Sequence, residues 1–118
     1  MAGHLHKSMA NKKLIFIGSR WVLPRLIESA HEYDIQGILD QDHVGQEMYG
    51  LPVLGPESDI DLYTDHVFHV ATYWDGSSQD VRIKRYQQIK LCESRGVKMA
   101  TLIHPTATVT AGTVIGRG

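Results

Sequence analysis

The chain has 118 residues, 42% of them apolar, which is enough for one compact domain with its own core and too apolar for a disordered segment. Twelve Lys and Arg stand against 13 Asp and Glu, so at pH 7 no long-range field draws it to nucleic acid or to an anionic membrane. No stretch approaches the roughly 20 apolar residues that span a bilayer, the N-terminus lacks a signal-peptide core, and the single cysteine, Cys92, has no internal disulfide partner, so the expected location is the reducing cytoplasm.

Residues 1–11 (MAGHLHKSMAN) carry no period and read as a flexible leader; His4 and His6 are too few ligands for a metal site. Lys13 to Ile17 (KLIFI) has the pattern of a parallel strand buried on both faces, ending at Gly18. From Trp21 to Tyr33 the apolar residues Val22, Leu23, Leu26, Ile27 and Ala30 fall at helical spacing. Pro24 costs little in a first turn, so the helix is expected to start close to Arg20. Ile35 to Leu39 is a second strand ending at Asp40, which completes a βαβ unit and brings Gly18 and Asp40 to one edge of the sheet. Leu51 to Leu54 is a short strand that Pro52 confines to an edge or a strand start.

His66 to Tyr73 (HVFHVATY) is a fourth strand, and Asp75 to Ser78 supply turn and capping groups for a helix that runs to Arg95 and stops at Gly96. Val81, Tyr86, Ile89 and Cys92 are expected to face the sheet, leaving Lys84, Arg85, Lys90 and Glu93 in water. Lys98 to Ile103 adds a fifth strand. The alternation predicts an α/β fold: a small Rossmann-like open parallel sheet with flanking helices over residues 12–102.

From Ile103 the period becomes six. Ile103, Val109 and Ile115 each open a hexad, with small residues at Ala107 and Thr113, as in the coils of a β-helix wound around a triangular core. Residues 103–118 do not complete one three-hexad coil, and such coils bury their apolar side only by stacking, so the β-helix is expected to be truncated here.

Lys12 to Gly18 (KKLIFIG), Gly37 to Asp42 (GILDQD), Gly50 to Gly55 (GLPVLG) and Thr101 to Gly116 (TLIHPTATVTAGTVIG) together resemble the N-terminal region of bacterial sugar acetyltransferases of the bacillosamine-pathway and sialic acid O-acetyltransferase type, a hexapeptide-repeat, left-handed β-helix family. The resemblance implies a Rossmann-like domain that holds a nucleotide-linked sugar, joined to a homotrimeric β-helix that binds acetyl-CoA between subunits and carries a histidine base several coils further on. It makes His104 a domain-junction residue and leaves this chain without a catalytic residue of its own.

Where the family has a glycine-rich turn, this chain reads Gly18-Ser19-Arg20-Trp21. Two readings stay open: Arg20 pairs with a diphosphate and Trp21 stacks on a base, or both are packing residues and the phosphate site is altered. Ligands of open α/β sheets bind beyond the carboxyl ends of the strands. The candidate substrate-binding residues are therefore Gly18, Ser19 and Arg20 after the first strand, Asp40 and Gln41 after the second, and Tyr73 and Trp74 after the fourth. Asp40 stands 22 positions after Gly18, near the spacing at which an acid meets a ribose hydroxyl. His66 and His69 point to opposite faces of a strand, which argues against a metal pair, and His31 and His43 read as exposed. Two other functions fit parts of the pattern: a Rossmann-like regulatory domain binding NAD, which Asp40 permits and the missing G-x-G-x-x-G opposes, and an assembly adaptor whose hexads join a partner's β-helix.

Overall fold

The structure, a computed structural model, describes residues 12–19, 21–73, 76 and 78–102. The leader and the hexads fall outside the described residues. Leu14, Ile15, Phe16 and Ile17 are all inaccessible to solvent, so the first strand, Lys12–Ile17 (β1), lies in the middle of the sheet and is covered on both faces. Its even residues Leu14 and Phe16 pack with Val22, Leu23, Leu26 and Ala30 around the helix Leu23–Ser29 (α1), while Ile15 and Ile17 pack on the other side with Ile60 and Cys92. The two-residue period of a strand thus separates two cores.

Around β1 the sheet is built outward in two directions. The strand Tyr33–Leu39 (β2) pairs in parallel with one side of β1, and Leu51–Gly55 (β4) pairs in parallel with β2. The strand Val67–Val70 (β5) pairs in parallel with the other side of β1, and Lys98–Met99 (β6) pairs with β5. Glu47–Met48 (β3) lies antiparallel against β4, giving the order β3, β4, β2, β1, β5, β6. Both outer strands are two residues long. The helix Gln79–Arg95 (α2) and a 3-10 helix, Glu57–Tyr63, cover the Ile15 and Ile17 face. This is a mixed α/β fold with a mostly parallel six-stranded sheet and flanking helices. No helix among the described residues is long and apolar enough to cross a membrane.

Several boundaries differ from the sequence expectation. The first helix begins at Leu23 and ends at Ser29, because Tyr33 and Asp34 are already paired with Lys12 and Lys13 and the chain must turn before them. Pro24 does sit in its first turn. The fourth predicted strand stops at Val70; Ala71 makes one further bond, its N–H donating to the Ile17 carbonyl at 2.7 Å, and the chain then crosses the strand ends. The last strand is shorter too, ending at Met99, and Ala100 donates to the Phe68 carbonyl. Pro52 is the second residue of β4, in keeping with the strand-start alternative; β4 is not the edge, since β3 covers its outer side.

The face of α2 is also rotated from the expected one. Ser78 caps it through its hydroxyl, which accepts from the Val81 N–H, and Gly96 ends it with φ +65. Tyr86, expected inward, is 62% exposed, whereas Gln88 is 3% exposed. The 3-10 helix supplies the reason: Glu57 accepts from the Gln88 amide at 3.0 Å, so the inward stripe runs through 81, 85, 88 and 92. Cys92 is buried, and burial pushes its thiol up to about 11.

The β1–β2 register slips by one residue between Leu14 and Ile15, which pair with Ile35 and Gly37. At Gly37 a Cβ would lie 2.7 Å from the Pro52 carbonyl oxygen and 2.9 Å from Leu54 Cγ, so β4 approaches too closely for a side chain. Gly37→Ala is therefore expected to destabilise the fold by about 1–3 kcal/mol. In urea titration this is a lower midpoint at constant slope, and an unchanged midpoint would mean that β4 moves aside freely.

Candidate functional site

Because the order reverses at β1, first running out through β2 and β4 and then returning to β5, the switch point of the sheet lies between β1 and β5. The loops after β1, β2 and β5 meet at its carboxyl edge. Gly18 leaves β1 with φ +90, a conformation that favours glycine, and a Cβ there would overlap the Thr72 hydroxyl of the loop after β5. The Gly18 N–H donates to the Leu39 carbonyl at 3.0 Å. These contacts hold the three strand ends together.

Asp40 joins the first two loops. It is 3% exposed, and its Oδ2 accepts from the Ser19 hydroxyl at 2.5 Å and from His43 Nδ1 at 3.0 Å, while Oδ1 accepts from the Asp42 N–H at 3.0 Å and so caps the 3-10 turn Gln41–His43. A carboxylate only accepts, so His43 carries its proton on Nδ1. Burial drives the Asp40 carboxyl up, but the bonds from Ser19, His43 and Asp42 and the charge of Lys84 outweigh it, holding its pKa below the ordinary value.

Gln41 lies beside this carboxylate, its N–H donating to Glu57 Oε1 at 2.8 Å. Glu57 and Gln88 line a cavity of about 190 Å³ with Gln41, Lys84, Gln87 and Leu91. The Glu57 carboxylate fixes the Gln88 amide with its nitrogen toward the acid, and Gln88 Oε1 has no hydrogen-bond partner. Lys84 reaches Asp42 at 2.7 Å; burial opposes its charge, but Asp42, Asp40 and Glu57 together raise its pKa.

Tyr73 stands at the end of the third loop. His69 beneath it is buried, with Nδ1 donating to the Ala100 carbonyl at 3.4 Å, so Nε2 accepts from the Tyr73 hydroxyl at 2.7 Å. The Arg85 guanidinium lies 4.9 Å above the Tyr73 ring and donates to the Thr72 carbonyl at 3.2 Å. Burial lowers the Arg85 pKa and raises that of Tyr73.

The fold thus brings Gly18, Ser19, Asp40, Gln41 and Tyr73 to one edge, while Arg20 and Trp74 lie outside the described residues. Trp21 is 54% exposed. Half-buried His43 is part of the Asp40 cluster rather than free in water, and the half-buried Lys84 and Arg85 belong to the site although amphipathic patterning put them on the wet face. Of the residues that sequence reasoning missed, His69 carried a usable signal: four residues before Tyr73 on a strand pattern, it shares that residue's face. A larger cleft, about 460 Å³ and lined by Lys12, Lys13, Asp65, His66, Arg95 and Lys98, lies at the opposite, amino-terminal edge.

Burial pushes His69 down to about 4 from its ordinary 6.5. Between those values the unfolded chain takes a proton that the folded one refuses, so stability is expected to fall as pH drops from 6.5 towards 4, by about 3 kcal/mol across the window. Urea titrations at several pH values should show this slope in the wild type and lose it in His69→Gln; an equal slope in both would place the proton uptake elsewhere.

No family model matches the chain, and no curated protein matches it. Among solved structures, it is similar to the acetyltransferase domain of PglB from Neisseria gonorrhoeae FA1090, with a TM-score of 0.60 and 27% identity over 80% of this chain and 45% of that one. The chain thus spans less than half the length of that neighbour. The likeness relates this chain to acetyltransferases.

Proposed function

We propose that the chain is the nucleotide-sugar-binding domain of an acetyl-CoA-dependent sugar N- or O-acetyltransferase. The observation that carries this reading is the structural likeness to an acetyltransferase domain over 80% of the chain. It is supported by the position of the candidate residues at the switch point, where open α/β sheets take their ligands. Ser19 and Gln41 present hydroxyl and amide groups to the sugar nucleotide, and Gly18 keeps the turn narrow. Asp40, enclosed by its donors, acts mainly by fixing Ser19 and the Gln41–His43 turn. Tyr73 supplies a flat surface, and Arg20 and Trp74 stay candidates on the sequence alone.

In this reading the acetyl donor and the histidine base belong to a β-helix, which also builds the homotrimer. No described residue is assigned to acetyl-CoA. The part of the reaction carried by this chain is recognition: it holds the nucleotide so that a sugar amine or hydroxyl is presented to the thioester.

Calorimetry with uridine- and cytidine-linked sugars is the direct test. Saturable binding at millimolar concentration or tighter is expected for one of them, weakened about tenfold in Ser19→Ala, where a hydrogen bond to a charged group is removed and the loop is released. No binding of any nucleotide sugar would sink the proposal. Saturable binding of NAD without response to uridine nucleotides would replace it by the regulatory reading.

A further inference from the structure

The amino-terminal edge of the sheet gathers positive charge. The chain as a whole has a formal net charge of −1, yet four of its 12 Lys and Arg, namely Lys12, Lys13, Arg95 and Lys98, line one cleft of about 460 Å³ there. The strand register explains the gathering. Leu14, Val67 and Lys98 lie abreast on β1, β5 and β6, so the starts of the three strands share one rim. Lys13 and Lys98 stand two strand spacings apart on it, about 10 Å.

Little within the chain answers this charge. Asp65 is the one carboxylate among the lining residues; it accepts from His66 Nδ1 at 2.7 Å and is 73% exposed. Asp61 meets Arg95 at 3.4 Å, an exposed pair of small worth in water, and even when both acids are counted two positive charges are left over. Arg95 is further engaged by the carbonyl end of α2, which it follows in the last turn. Lys12, Lys13 and Lys98 enter no ion pair among the described residues. The rest of the sequence holds no counter-charge for them either. Residues 1–11 and 103–118 contain no Asp or Glu, and the one acid outside the described residues, Asp75, follows the carboxyl end of β5 in sequence, whereas the cleft holds its amino end.

The lining also distinguishes between kinds of anion. Protein interfaces are depleted in Lys at their centre and anchored by aromatic side chains, and none of the exposed large apolar residues, Trp21, Leu62 and Tyr86 among them, lines this cleft. Its volume is that of a small-molecule site. Three ammonium groups from two strands, each a compact charge on a flexible stem, suit a densely charged oxyanion with more than one anionic group. We propose that the amino-terminal cleft is a second ligand site, separate from the strand-end crevice, which takes a small molecule carrying two or more linked phosphates on Lys12, Lys13 and Lys98. The site does not depend on the nucleotide-sugar reading. Its affinity falls with added salt, as a charge-based contact does.

The test uses the whole chain with inorganic pyrophosphate, inorganic tripolyphosphate and hexaglutamate as probes, each compared with sodium chloride at equal ionic strength. Backbone amide shifts in NMR locate the binding, and thermal melts verify that each variant is folded. Both phosphates are expected to shift residues 64–67 and 95–98 saturably, tripolyphosphate at the lower concentration. The double variant Lys13→Gln, Lys98→Gln is expected to bind them about tenfold more weakly or worse, and Lys98→Arg to bind as the wild type does. Shifts confined to residues 40–43, or no saturable shift at all, overturn the proposal. So does a folded double variant, or a folded Lys98→Gln if the double variant does not fold, that binds tripolyphosphate with unchanged affinity. Hexaglutamate binding more tightly than tripolyphosphate overturns it in favour of an acidic protein segment.

Discussion

A strand with water on neither face can offer a ligand only its ends. Leu14 to Ile17 are all fully enclosed, so the centre of this sheet is closed to chemistry along its length, and whatever polar function it supports has to be built from the loops that leave it. The direction of winding then selects the edge. Since β2 and β5 both run parallel to β1, all three deliver their carboxyl ends to one side, and Gly18, Asp40 and Thr72 become neighbours despite their separation in the chain. The site is in this sense a by-product of the packing of one hydrophobic segment.

That edge is held by polar groups that satisfy one another. Asp40 is enclosed yet ionised, because three donors from two loops surround it, and the same bonds that keep its charge also fix the loops. On the far side of β1, a neutral histidine does the analogous work for Tyr73, with one ring nitrogen on a carbonyl and the other on the phenol. Two small networks of opposite character therefore flank the switch point, one centred on an anion and one carrying a guanidinium above it.

Much of this was legible in the chain itself. The apolar run KLIFI, the helical spacing that follows it and the return to IQGIL were sufficient for the βαβ unit, and strand ends followed from Gly18 and Asp40. The capping groups of Asp75 to Ser78, of which Ser78 serves, and the stop at Gly96 marked the limits of the long helix, since both signals are local. What failed depended on neighbours remote in sequence. No periodicity could announce the 3-10 helix at Glu57–Tyr63, and it is this element that turns α2 so that Gln88 goes inward and Tyr86 outward. Arg85 was misplaced for the same reason: an amphipathic wheel assumes a flat partner surface, whereas this side chain reaches past the end of a strand to a ring on the other face. The hexads of residues 103–118 lie outside the described residues, so the structure adds nothing to that part of the reading.

The two outermost strands, Glu47–Met48 and Lys98–Met99, are each only two residues long. An open sheet normally exposes a row of unsatisfied backbone donors and acceptors at each margin, onto which a foreign chain can zip. Here each margin offers a ladder too brief to template such growth, and charged side chains, Glu47 on one and Lys98 on the other, stand in the way. Copies of this domain brought close together in an oligomer are thereby discouraged from merging their sheets, so that any assembly has to be directed by surfaces other than the strand margins.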